Sequence, residues 1–485
     1  MSFHELWLLL PVLIISLGII LLLLQAAWRR QPKLAQGICV VTLIAAAVAL
    51  IWQFPVGVQS ITLLFEYEPV GGFFSILLLF VSLSVALLQG VYMGSYSKMP
   101  STEAAEEFYL LLLLSCLGGM LLTMASHVAS LLLGLELMGL SMLAMLAYNR
   151  ERRLALEGAI KYLLLSGAAT SVLLLGLAFL YATSGSLVLS ELMQMPNGGA
   201  MSLLAKSGFV LVIAGLAFKL SLVPLHFWTP DVYQGAPVNS TLFLTSLSKT
   251  AVFAILIKLI LIIPQDFEAD LIRMLTWMAI ASMLLGNWLA LQQQSIKRLM
   301  AYSAIAHMGY ILVAGIIAID IDHSLVLEGA SYYLLAYLIA SILIFAVLTL
   351  LSRFDDQHDL DELPQLQGLF WQHPWLATIM ALAFLSLAGM PITVGFIGKF
   401  YLLTLAIKLS AWWLVTAMIV GSAVGLYYYL RVIFALFAPL ENSTLSAPKA
   451  LVTNIWITVV AASLLVLGLL PGLLGNELRA VLGVG

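Results

Sequence analysis

The sequence predicts an all-α polytopic membrane protein of about fourteen transmembrane helices. Three observations predict it. Of 485 residues, 62% are hydrophobic and only 9% are charged, whereas soluble domains carry about 25% charged residues. Mean hydropathy is +1.08. Apolar runs of about 20 residues, the length a helix needs to cross the hydrocarbon core, recur throughout the chain.

Taken in order, the first three spans fall at about 6–27, 36–53 and 70–92. Five more fall at about 107–124, 128–148, 157–183, 204–228 and 238–262. A further five fall at about 271–291, 299–319, 325–351, 374–407 and 411–437, and the last at about 451–475. The first run is too long for a signal-peptide core and lacks a small-residue cleavage site, so it is expected to be a retained span. Span seven contains Pro224, and span twelve is interrupted by Gly389-Met390-Pro391. Proline removes a helical hydrogen bond and clashes with the preceding turn, so both spans are expected to be broken. No soluble domain is expected.

Charge distribution sets the expected topology. Assigned alternately to the two sides, one side receives Arg29, Arg30, Lys33, Lys98, Arg150, Arg152, Arg153, Lys297, Arg298, Arg353, Arg431 and Lys449. The other receives Lys206, Arg273, Lys408 and Arg479. The positive-inside rule makes the first side cytoplasmic and puts both termini on the outer side. Spans four to eight and nine to thirteen then start on opposite sides, which predicts two inverted five-helix repeats. The expected division is 1–106 for the first three spans, 107–262 for the first unit, 263–437 for the second and 438–485 for the last helix. The broken helix is the fourth member of each unit: Lys219 with Pro224 in one, Pro391 with Lys399 in the other.

Ionisable residues inside the spans are the candidates for chemistry. A lysine near the bilayer centre costs about 2.5–3.5 kcal/mol on insertion scales, and such residues generally serve a function. Lys219, Lys249 and Lys399 all lie deep in their spans. Lys258 follows Lys249 by nine residues, about 900° of helical rotation, and so faces the opposite way. It also lies near the outer end of span eight and is expected to snorkel. Lys161 follows Glu157 by one turn, which suits an interfacial i,i+4 pair. Glu136 sits mid-span in SLLLGLELMGLSMLAML, either as a protonated packing group or as a counter-charge.

His226 follows the break in span seven, and His307 lies in IAHMGY early in span ten. Histidine titrates near neutrality and can pass protons through both nitrogens. Each is also suited to a purely structural hydrogen-bonding role. Cys39 and Cys116 stand in apolar runs without ligand spacing and are expected to be buried, inert thiols. No P-loop, no GxGxxG opening a helix after a strand and no cysteine or haem ligand set is present. No cofactor chemistry is expected in this chain, no metal site and no nucleic-acid partner.

FK-x4-P-x-HFW-x-PDVYQGAP over residues 218–237, a second lysine at Lys249, and IKRLMAYSAIAHMGY at 296–310 carry a resemblance. The chain resembles the antiporter-like, proton-translocating membrane subunits of respiratory NADH:quinone oxidoreductase (complex I), in their N-type form, over nearly its whole length. The resemblance implies that Glu136 pairs with Lys219, and that Lys219, Lys249 and Lys399 relay protons, with His226 and His307 as further members. Separating the carboxylate from the buried lysine would disfavour the charged ammonium, which makes the pair a switch. Related subunits often carry a histidine in helix eleven, where this chain has Tyr332, Tyr333 and Tyr337.

The resemblance also implies that NADH, FMN, iron–sulfur clusters and quinone belong to partner subunits. Implied partners are an M-type neighbour, small membrane subunits and the lipid bilayer of a bacterial inner membrane. The alternative family reading is a large subunit of a multisubunit cation/proton antiporter. Such subunits share the lysine pattern but usually extend further at the C-terminus. A scaffold with vestigial charges would leave three deep lysines and a glutamate unexplained.

Overall fold

Long apolar runs, with nothing in the hydrocarbon to bond their amides except each other, fold as helices. The computed structural model describes residues 3–28, 30–94, 105–192, 202–263, 265–319, 323–352, 359–439, 450–473 and 475. After a short helix at Phe3–Leu8 come six long ones: α1 (Leu10–Trp28), α2 (Pro32–Gln53), α3 (Pro69–Gly94), α4 (Ala105–Thr123), α5 (Val128–Leu146) and α6 (Arg153–Ser184). Then come α7 (Leu203–Leu220), α8 (Trp228–Gly235) and α9 (Val238–Leu261). The remainder are α10 (Gln265–Ala290), α11 (Ile296–Ile317), α12 (His323–Leu351), α13 (Pro374–Ala388), α14 (Val394–Lys408), α15 (Trp412–Leu436) and α16 (Leu451–Leu469). Among the described residues 13 helices are long and apolar enough to span, with the shorter apolar α13 beside them. The chain is a polytopic helical membrane protein, as its composition predicts.

Both expected breaks are present, and the first differs in detail from its sequence signature. Span seven stops being helical at Leu220, not at Pro224. Ser221 takes a left-handed conformation, φ 62°, and ends α7. The span then resumes as α8 and runs to Gly235, beyond the expected end at about 228. Span twelve breaks at Gly389, φ 82°, before Pro391. Span eight carries an irregularity that the sequence did not announce: Leu244–Ser248 forms a π-turn immediately before Lys249.

Three helices form the centre of the molecule. The apolar windows of α11 and α12 are each 94% buried and that of α9 is 89%, against 33% for α10, α15 and α16. Around them, helices approach closely through glycine. A Cβ on Gly118 of α4 would stand 2.5 Å from the Met138 amide nitrogen of α5. On α11, a Cβ at Gly309 would stand 2.9 Å from both the Ala279 carbonyl and the Met283 nitrogen of α10. Small residues allow this contact between membrane helices, and here the first two helices of each expected unit use it.

Ion pairs and hydrogen bonds gather some of the charged side chains at the two ends of the helices. Asp359 accepts from Arg152 Nη1 at 2.8 Å and from Lys297 Nζ at 2.9 Å, gathering the starts of α6 and α11 with the loop after α12. Tyr92 of α3 donates to the same carboxylate at 2.9 Å. Beside it, Asp231 accepts from Lys161 at 2.8 Å and Arg298 at 2.9 Å. Arg431 donates to the Leu291 and Gln293 carbonyls, joining the same end. At the other end of the helices, Lys206 and Arg273 share Asp270. Arg29, Lys98, Arg353, Lys449 and Arg479 lie outside the described residues.

Asp359 is fully buried. Burial pushes its carboxyl up, but Lys297 and then Arg152 outweigh that and hold it below the ordinary 3.8. Lys161 forms the expected i,i+4 pair with Glu157 at 2.7 Å. A short hairpin, Gln59–Ser60 with Glu66–Tyr67, has no helical counterpart in the sequence reading and lies on the α4–α5 turn, where Glu66 N donates to Met124 O at 2.9 Å. Cys39 and Cys116 are buried free thiols.

Candidate functional site

A helix that ends inside a membrane leaves carbonyls without intrahelical donors. At the end of α7 three of these find partners. Leu222 N donates to Ala217 O at 2.9 Å, and Trp228 Nε1 donates to Phe218 O at 3.1 Å. The Lys219 carbonyl accepts from Lys249 Nζ at 3.0 Å. The same ammonium donates to Ser221 Oγ, lies 5.2 Å from the centre of the Trp228 ring and is fully buried. Ser221 Oγ also accepts from Thr229 Oγ1 at 2.6 Å, and Ser282 of α10 holds the intervening loop through Val223 N at 2.9 Å.

The second break repeats the arrangement. Met390 N donates to Leu385 O at 3.0 Å, while Lys399 Nζ donates to Leu387 O at 2.9 Å and Ala388 O at 3.0 Å. The Lys399 ammonium stands 5.3 Å from the centre of the Tyr310 ring. Each half-helix thus ends on a lysine ammonium, with the negative end of its dipole facing a positive charge. Such a contact contributes about 0.3–1 kcal/mol, and up to ~2 kcal/mol when partly buried. Lys249 makes its bond to the break of a neighbouring helix.

Lys219 is 5% exposed and donates to Ser166 of α6 at 3.2 Å. A Cβ placed on Gly139 would lie 4.0 Å from its Nζ. Its ammonium is therefore set against the turn of α5 that carries Glu136. The expected direct pairing is nevertheless absent: Lys219 donates to Ser166 instead, and Glu136 and Lys219 form no ion pair within 4.0 Å. Glu136 is half-buried on α5. The structure brings the two onto facing helices and leaves them separated.

His307 sits between the breaks. Its Nδ1 is 2.5 Å from Tyr333 OH, its Nε2 is 3.1 Å from Tyr429 OH, and its ring centre is 5.2 Å from that of Tyr337. Tyr337 OH in turn bonds Thr245 Oγ1 at 2.6 Å, inside the π-turn and one helical turn before Lys249. Tyr429 OH continues to Ser303 Oγ at 2.5 Å. A cavity of ≈ 10 Å³ is lined by His307, Tyr333, Tyr337 and Lys399, about the size that accepts one water. Hydroxyls therefore occupy the interval between Lys249 and Lys399 where the sequence offered three tyrosines. Tyr333 and Tyr337 line it; Tyr332 points away and bonds Leu467 O.

His226 is 5% exposed, with its Nδ1 unpartnered and its ring stacked on Phe227 at 4.5 Å. No hydrogen bond joins it to Lys219, Lys249 or His307. Lys258 does not snorkel. It is 16% exposed and pairs with Glu68 at 2.8 Å and Glu66 at 3.6 Å. Among the described residues, no three His, Cys, Asp or Glu side chains converge as a metal site.

The profile of the family described as NADH:quinone oxidoreductase/Mrp antiporter, TM, matches residues 125–425. That is more than half of the chain, and it spans every residue of the line from Glu136 to Lys399. The chain belongs to the NADH:quinone oxidoreductase/Mrp antiporter family. Solved members share its whole architecture. A chain of respiratory complex I from Thermus thermophilus with bound aureothin is 31% identical, with a TM-score of 0.82, over 97% of this chain and 99% of that one. A chain of the archaeal membrane-bound sulfane sulfur reductase is 20% identical at TM-score 0.84, over 99% and 97%. A chain of the Mrp complex from Dietzia sp. DQ12-45-1b is 18% identical at 0.83, also over 99% and 97%. At those two identities the likeness establishes the fold alone. The family fold is thus the frame that holds the two broken helices and their lysines.

Proposed function

We propose that this chain is the N-type membrane-arm subunit of a proton-pumping NADH:quinone oxidoreductase in a bacterial inner membrane. It carries protons along the line Glu136, Lys219, Lys249, His307 and Lys399, within two inverted units at 107–262 and 263–437. The observation that carries this reading is the matched placement of Lys249 and Lys399 on the free carbonyls of two intramembrane helix ends. Buried ammonium groups are costly unless paired. Two of them stand at the two breaks, and hydroxyls and the His307 imidazole lie in the interval between them as proton donors and acceptors. NADH, FMN, iron–sulfur and quinone chemistry fall to partner subunits, among them an M-type neighbour, and the driving energy arrives through protein contacts. The positive-inside rule puts the Arg152–Asp359 end in the cytoplasm.

The 31% identity to a Thermus complex I chain over almost its full length favours this reading. A large subunit of a cation/proton antiporter has the same fold and is the competing reading. Purification of the native assembly in mild detergent tests the choice. Co-purifying flavin and iron–sulfur subunits with NADH oxidation are expected; small antiporter subunits without redox centres would overturn it.

A further inference from the structure

We propose that Ser221 and Thr229 are a positioning pair for Lys249, whose two hydroxyls hold that side chain in both of its charge states. The inference rests on the proton-transport reading above and adds two residues to it. A lysine that takes up and releases a proton changes what it needs from its neighbours. Its ammonium only donates, whereas the neutral amine has one donor fewer and gains a lone pair. A carbonyl can only accept, so Lys219 O serves a donor and nothing else. A hydroxyl does both. Ser221 Oγ is the hydroxyl that touches Lys249 Nζ, and Ser221, Thr229 and Lys249 are all fully buried.

The three side chains meet from both halves of the broken span and from its neighbour. Ser221 is the first residue past α7, Thr229 lies in the first turn of α8, and Lys249 follows the π-turn of α9. Ser221 holds a left-handed conformation, φ 62°, which glycine would adopt without the clash of a Cβ. Backbone strain of this kind gathers at functional sites, and the hydroxyl on Lys249 accounts for a serine here. The titratable side chains on the surrounding helices are Cys116 on α4, Glu136 on α5, Lys219 on α7, Tyr233 on α8, His307 on α11 and Tyr337 on α12. None of them hydrogen-bonds the Lys249 ammonium, whose partners are Ser221 and the Lys219 carbonyl.

While Lys249 is charged, Ser221 Oγ accepts from the ammonium and from Thr229 Oγ1 at 2.6 Å, which fills both of its lone pairs. Its own O–H then has no acceptor among the described residues. When one N–H bond of Lys249 breaks and that proton passes to the next carrier, the amine lone pair is exposed. The idle Ser221 O–H turns to it, Thr229 goes on donating to Ser221, and a remaining N–H stays on the Lys219 carbonyl. Ser221 and Thr229 keep their own protons throughout. The lysine is therefore never left without a partner in a place that water does not reach.

The test is proton uptake per NADH oxidised by the intact complex in proteoliposomes, followed across alkaline pH. Taking the ratio removes the pH dependence of NADH oxidation itself. Ser221→Gly deletes the hydroxyl and relieves the left-handed turn, so the complex should unfold close to the parental temperature. A charge-assisted hydrogen bond is about twice as strong as a neutral one. The charged lysine therefore loses more than the neutral one, and the pH at which uptake is half lost should fall by about one. Thr229→Val keeps the shape but removes the donor that competes with the ammonium for the Ser221 oxygen. Its half-loss should move the other way, to higher pH, and by less. Thr229→Ser keeps the hydroxyl and should follow the parent. Damage to packing alone would lower uptake by the same fraction at every pH. That result, shifts of one sign in both variants, or parental profiles in both overturn the pair. The two Thr229 variants carry the test if Ser221→Gly does not assemble. Parental uptake in Lys249→Met would sink the transport reading and this pair with it. Lost uptake in Lys249→Met beside parental profiles in Ser221→Gly and Thr229→Val overturns the pair alone and leaves the lysine line standing.

Discussion

Replacing Lys249 by methionine separates the lysine's charge from its bulk. Lys249 Nζ satisfies the Lys219 carbonyl and adds a donor to Ser221 Oγ, which Thr229 already serves. The change therefore orphans one buried carbonyl, at about 1–3 kcal/mol. It also removes a favourable contact with the helix end, about 0.3–2 kcal/mol. Against this, a fully buried ammonium no longer has to be dehydrated, which is worth several kcal/mol. Methionine fills nearly the same volume, so little cavity is left. The opposing effects are of similar size, and thermal unfolding of the purified complex should shift by less than about 2 kcal/mol equivalent. Lys249→Ala additionally empties the space over Trp228 and should cost about 2–5 kcal/mol more. In proteoliposomes, Lys249→Met is expected to abolish most proton uptake per NADH oxidised. Parental pumping in a folded Lys249→Met complex would refute the reasoning.

Other expectations follow from the same contacts. Asp359→Asn strands two buried cations and should destabilise by about 3–5 kcal/mol, whereas removing the exposed Asp270–Arg273 pair should leave the unfolding temperature nearly unchanged. Because the Asp359 carboxyl is held below 3.8 in the folded state, its contribution is present above about pH 4 and is lost as pH falls through the folded value. The gap between variant and parent in thermal scans should hold from neutral pH downward and close only below that point. Glu136→Gln and Lys219→Met should each reduce pumping and combine less than additively; full additivity in reconstituted vesicles would show that the two act independently. Tyr337→Phe removes the hydroxyl that bonds Thr245 beside the His307 ring, and should slow pumping while leaving the unfolding temperature nearly unchanged.

Much of this was legible in the chain, and the exceptions have physical causes. Spans could be read because bilayer thickness fixes helix length, and the breaks could be read because Pro224 and Pro391 cannot continue a helix. Gly389 was named with that interruption, but the stop at Ser221 depends on left-handed backbone at a non-glycine residue that composition does not single out. Tyr333 and Tyr337 are four residues apart and so share a helical face, whereas Tyr332 is rotated by about 100° and turns away. That spacing was available as a signal for the correct pair. Lys258 was misjudged because its partners, Glu66 and Glu68, come from a hairpin nearly two hundred residues earlier. Lys219's bond to Ser166 and Lys249's bond to the Lys219 carbonyl are likewise contacts between helices, and periodicity within one helix cannot supply them.

Arginine at positions 249 and 399 tests the central claim most directly. Lys249→Arg and Lys399→Arg keep a cation that can donate to the break carbonyls, but a guanidinium does not give up its proton in a protein. If the lysines carry protons, both variants should assemble, oxidise NADH and fail to acidify proteoliposomes in step with it. Parental proton uptake per NADH in either variant would contradict the account and leave that lysine as a helix cap alone.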